Sequence, residues 1–78
     1  MTMTEQMNAG VNRWIEECKG RGDGASILRK RAAWLEGLIT KQGQGRKVPE
    51  LEGVKVWDSQ NAYERLRRAA DEMESKHD

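Results

Sequence analysis

Residues 24–41 read Gly24-Ala25-Ser26-Ile27-Leu28-Arg29-Lys30-Arg31-Ala32-Ala33-Trp34-Leu35-Glu36-Gly37-Leu38-Ile39-Thr40-Lys41. Ile27, Leu28, Ala32, Trp34, Leu35, Leu38 and Ile39 recur at helical spacing and form one broad apolar face, so the stretch is expected to be a helix. Asp23 stands where an N-cap is needed. Arg31 falls near the middle of the apolar face, and a buried unpaired charge is very costly. Its guanidinium must therefore snorkel outward, pair with a carboxylate, or lie on a face that a partner covers. Arg29 points the opposite way, and Lys30 and Lys41 flank the apolar face.

Upstream, Met3, Met7, Val11, Trp14, Ile15 and Cys18 define a second stripe, predicting a helix over Thr4 to Lys19. Thr2 and Glu5 have capping-box spacing, which allows a slightly earlier start. Gly10 lies at the edge of the stripe, either as a tolerated defect or at a close helix crossing. Gly20-Arg21-Gly22-Asp23-Gly24 separates the two helices, and glycine there suits a left-handed C-cap. The Arg21-Gly22-Asp23 triplet matches the integrin-binding tripeptide in letters alone, without the secretory context such a motif requires.

Downstream, residues 42–57 are expected to form a long connector, glycine-rich and basic in its first half and mobile there. Val54 and Val56 alternate with Lys55 and Trp57, which would suit a short extended segment over 54–57. A third helix is predicted over Ser59 to Lys76, with Asp58 or Ser59 as N-cap. Ala62, Tyr63, Leu66, Ala69, Ala70 and Met73 make its apolar stripe, and its alanines permit close approach. Glu64 with Arg68, and Arg67 with Asp71, have helix-stabilising spacing. Asp71, Glu72 and Glu74 sit where the helix dipole disfavours acids, so they should face a base elsewhere, with Arg31 or the basic connector as candidates. The residues from Ser75 onward are expected to fray. The expected fold is a single all-α domain over 1–78: three helices, with a long Gly-rich basic connector before the last.

At 78 residues the chain is near the lower limit for one self-sufficient core. Charged residues make up 35 % of it and mean hydropathy is −0.95, yet the apolar residues are periodic, which argues against simple disorder. No apolar run approaches a membrane span. Met1 to Met7 lacks the basic start and apolar block of a secretory signal, and the lone Cys18 permits no internal disulfide, so a reducing, cytoplasmic setting is expected. Charge is uneven. Residues 19–47 hold eight bases against two acids, while residues 1–18 carry −2 and residues 48–78 carry −3. A basic middle flanked by acidic ends implies charge matching within or between chains, or an anionic partner.

The residues of an active site are missing. The only histidine, His77, is penultimate, the only cysteine lies on an apolar stripe, and two Cys/His residues cannot make a structural zinc site. Gly20, Gly22 and Gly24 lack the Lys-Ser/Thr of a phosphate loop. No enzyme activity and no cofactor are expected. Two binding readings remain. Arg29, Lys30, Arg31, Lys19, Arg21, Lys41, Arg46 and Lys47 could meet nucleic-acid phosphates, but residues 24–41 contain no Asn or Gln to read bases. A protein-binding role accounts for more: wide apolar faces and three tryptophans without a phenylalanine. Trp14 and Trp34 are assigned to the core, and Trp57 is poised between core and interface anchor. A homodimer in which Arg31 meets an acid across the interface fits the same face. The expected partner-binding residues are Arg29, Lys30, Arg31, Lys41, Arg46, Lys47 and Trp57. The expected role is a small inhibitor, adaptor or assembly factor, of a composition that suits a bacterial or phage accessory protein. A structural component of a virion or larger assembly is a third reading.

Overall fold

The computed structural model describes residues 2–75, and they are all-helical: α1 (Met3–Cys18), α2 (Gly24–Gly43), a 3-10 turn (Pro49–Leu51) and α3 (Val56–Ser75). The three expected helices are present. Expectations for His77 and for fraying beyond Ser75 lie outside the described residues.

The capping box starts α1 one residue before Thr4. The Glu5 amide donates to the Thr2 hydroxyl (3.1 Å), and the Thr2 amide donates to the Glu5 carboxylate (3.4 Å). The helix stops at Cys18, and Gly20 follows with φ +80°, a left-handed conformation favouring glycine. At Gly24 the chain comes too close for any side chain: a Cβ there would lie 2.3 Å from the Cys18 carbonyl oxygen. Glycine at this position fixes the corner between α1 and α2. Asp23 holds the N-cap position, but its carboxylate makes no cap bond. It accepts from Arg21 Nε at 3.1 Å, so the charges of the Arg-Gly-Asp triplet close on each other.

α2 and α3 form the most extensive helix pair. They run antiparallel: Arg29, early in α2, meets Asp71 and Glu74 late in α3, and Gln42, late in α2, donates to the Val54 carbonyl just before α3 (2.6 Å). The buried positions of α3 are Ser59, Ala62, Leu66 and Ala70. Three of the four are small, so α2 lies close and Leu28 and Leu66 are fully enclosed. Ser59 is tolerated there because its hydroxyl donates to the Lys55 carbonyl at 3.3 Å. The same contact corrects the expected N-cap: α3 begins at Val56, and Ser59 is one turn inside it.

The connector is shorter than the sequence suggests, spanning 44–55, because α2 runs to Gly43 and α3 starts at Val56. No strand forms at 54–57 or elsewhere among the described residues. Instead Leu51 N–H bonds Val48 C=O (3.0 Å), and Val54 N–H bonds Leu51 C=O (3.0 Å). These i→i−3 turns, with Pro49 opening the 3-10 turn, carry Val48, Leu51 and Val54 to one side, where all three are buried. Val54 therefore belongs to the core, and Val56 to the first turn of α3. Gly45 (φ +76°) and Gly53 (φ +82°) supply the bends.

α1 docks more lightly. Val11 and Cys18 are buried, Met7, Trp14 and Ile15 only partly, and Met3 is exposed. Arg65 of α3 straps it down by donating to the side-chain carbonyls of Asn8 and Asn12. The result is flat, with Cα extents of 42 × 26 × 15 Å.

Three substitutions separate core from surface. Gly24→Ala must push against backbone and should cost about 1–3 kcal/mol. Gly10→Ala and Gly37→Ala meet nothing within 4 Å and should be neutral or stabilising by up to about 1 kcal/mol. Urea unfolding of the three variants checks this, and equal stability of all three contradicts the packing described.

Candidate functional site

α2 buries Leu28, Ala32, Leu35 and Leu38, spaced four, three and three residues apart. Trp34 precedes Leu35 by one residue, about 100° round the helix. That offset carries its side chain out of the core. Trp34 is 48 % exposed, which corrects its assignment as a core residue. Trp14 of α1 meets it edge to face, with ring centroids 6.2 Å apart and planes at 78°.

The two indoles form one wall of an open groove of about 270 Å³. Met3, Met7 and Gly10 of α1 and Leu51 of the 3-10 turn supply the rest, over a floor of Val11 and Leu35. Gln6 and Glu50 are the polar lining residues. Met3 is 41 % exposed beside the groove. Gly10 makes no close crossing within the chain, and nothing lies within 4 Å of where its Cβ would be. A groove with aromatic and thioether walls can bury an apolar side chain.

Arg31, the charge expected in the middle of the apolar face, takes the snorkelling route. It is exposed, and its guanidinium lies over the Trp14 ring, 4.7 Å from the centroid. The ion pair with the acidic end of α3 belongs instead to Arg29. Its Nε and Nη2 donate to both oxygens of Glu74 (2.9 Å each), and Nη2 also donates to Asp71 (2.7 Å). The antiparallel pairing of α2 and α3 puts position 29, not 31 or the connector, opposite those acids. Hydrogen bonding to Arg29 holds the Glu74 carboxyl below its ordinary range, and Glu74 and then Asp71 raise Arg29. Arg67 turns to the Tyr63 hydroxyl (3.1 Å) rather than to Asp71.

The remaining expected residues are dispersed. Lys30 and Lys41 are exposed on α2, one turn before and about two turns after Trp34. Arg46 and Lys47 are exposed on the connector, where they line a separate cleft with Glu52 and Gly53. Trp57, in the first turn of α3, is 65 % exposed, with the Lys55 ammonium 5.6 Å from its ring centroid. The sequence reading missed Trp34, Met3 and the Arg65–Asn8–Asn12 strap. Phase alone does not single out Trp34, which stands one residue from Leu35 but four before the buried Leu38, on the same side of the helix. Among the described residues, no group of three or more His, Cys, Asp and Glu is placed to hold a metal, and no helix is long and apolar enough to cross a membrane.

The Arg29 clamp has a pH signature. A carboxyl whose folded pKa is depressed adds stability above its unfolded value, near about 4.3 for Glu, and that stability is lost as pH falls through the lower, folded value. Arg29→Ala should therefore melt below the wild type at neutral pH, and the gap should close under acid. Thermal melts by circular dichroism at neutral pH and well below the Glu range measure it. A gap unchanged in acid would mean that the ion pair is not its cause.

Comparison with protein-family models, with curated proteins and with solved structures finds no match to this chain.

Proposed function

We propose that this chain is a small non-catalytic protein-binding module, an inhibitor, adaptor or assembly factor working in the cytoplasm, that acts by occupying a partner's surface. The observation that carries the reading is Trp34, half exposed on the wall of an apolar groove that the chain's own side chains leave open. Tryptophan is enriched where truncation costs most in interfaces. Nearby Met3 and Met7 are flexible and polarizable, suited to an adaptable contact. Lys30 and Lys41, on the same helix as Trp34, and Glu50 at the groove give the site charges of both signs beside its apolar centre. The buried Cys18, with no second cysteine to pair with, suits a reducing setting.

Trp34→Ser should leave helical circular dichroism intact and abolish capture of partner proteins from host extract, with nuclease making no difference. Equal capture by wild type and variant contradicts the reading.

A second reading draws on the exposure of Lys30, Lys41, Arg46 and Lys47: a nucleic-acid binder using the basic 19–47 region, with Trp34 stacking on a base. Arg29, committed to Glu74 and Asp71, counts against it. This reading requires binding to generic DNA at low salt that weakens steeply as salt rises. No binding at low salt removes it.

A further inference from the structure

Two features of the surface are unexplained by the chain's own packing, and they are complementary. One is the apolar groove of about 270 Å³ between α1, α2 and the 3-10 turn. The other is Trp57, the most exposed of the large hydrophobic side chains among the described residues, with the exposed Val56 beside it. An apolar cavity of about 150 Å³ accepts a benzene ring, so the groove has room for an indole. The charges match at the Glu50 edge of the groove, the base on its rim being Arg31 over Trp14. Trp57 carries the Lys55 ammonium against its ring, whereas the groove is bordered by Glu50. An indole entering beside Glu50 would bring a lysine to a carboxylate at the rim of the contact. The side of the groove formed by Gly10 has no Cβ and nothing within 4 Å of that position, so a visiting backbone can come close.

Trp57 does not line the groove of its own chain. From this knob and hole, with opposite charges beside them, we infer that the occupant is a second copy: Trp57 of one molecule seats in the groove of another. This inference rests on the protein-binding reading and names its partner. Every pair of copies holds two knobs and two grooves. If both contacts form between the same two molecules the assembly closes as a dimer, and otherwise it extends.

Sedimentation equilibrium from micromolar to near-millimolar protein tests the contact. The wild type should associate. Trp57→Ala should weaken association by about thirtyfold or more, the size of a hot-spot truncation. Gly10→Leu should do the same by filling the groove, and it should fold at least as well, since leucine is the better helix former and enters open space. Circular dichroism verifies the fold of both. Mixing the variants should restore association in part, because one keeps its groove and the other its tryptophan, so that one of the two contacts forms. A wild type monomeric throughout overturns the inference. So does either variant associating like the wild type, or a mixture of folded variants that stays monomeric. A monomeric wild type that still captures another protein through Trp34 overturns the second copy as occupant and leaves the protein-binding reading standing. A chain that neither associates nor captures overturns both.

Discussion

The close pairing of α2 with α3 is the constraint on which the rest depends. In so small a chain the core cannot be wide, and it is made narrow instead. Ser59, Ala62 and Ala70 keep α3 thin, so that Leu28 and Leu66 are enclosed completely. The pairing fixes register too, because Arg29 can grip Glu74 and Asp71 only when the two helices run antiparallel at this offset. Those acids would otherwise sit unfavourably at the end of α3. The basic surplus of the middle of the chain is thus spent partly inside the fold, which is one of the two uses its charge distribution implies.

Once α2 is committed to α3, its remaining surface must serve α1 and the connector. The connector meets this need with Val48, Leu51 and Val54, brought to one side by successive short turns. α1 meets it less fully, contributing two buried residues and leaving its methionines and Trp14 partly open. The groove is the consequence. It lies where a lightly docked helix and a tight turn fail to cover the flank of α2, and Trp34 stands on that flank. Gly37, one turn further along α2, also has nothing within 4 Å of its would-be Cβ, so the exposed side of the helix stays low beyond the indole.

The architecture was legible because its signals are local. Apolar spacing located three helices, the Thr2–Glu5 pair marked the first cap, and glycine marked the first corner. Two kinds of information were not local. Which base answers the acids of α3 depends on helix direction and offset, so Arg29 and Arg31 could not be told apart from the chain alone. The Arg65 bond to Asn8 and Asn12 spans most of the sequence for the same reason. The connector is a different case: alternation at 54–57 allows a short extended segment, while the three-residue spacing of Val48, Leu51 and Val54 carries the turns that form. Of the expected binding residues, Lys30, Arg31, Lys41, Arg46, Lys47 and Trp57 are exposed, and the partly exposed Arg29 is paired with acids of its own chain. Trp34 was placed in the core by treating the apolar face as broader than the stripe α2 actually buries.

α2 has two divided faces, one holding the fold and one bearing the half-exposed Trp34. The unfolding free energy of Trp34→Ser, measured by urea at concentrations where the chain is monomeric, is the direct test. With divided faces, the variant loses its edge contact with Trp14 and a half-covered apolar surface, and stays within about 2 kcal/mol of the wild type. A loss of about 3–5 kcal/mol, the cost of truncating an enclosed tryptophan, would show that Trp34 is part of the core and that the exposed face is not spare.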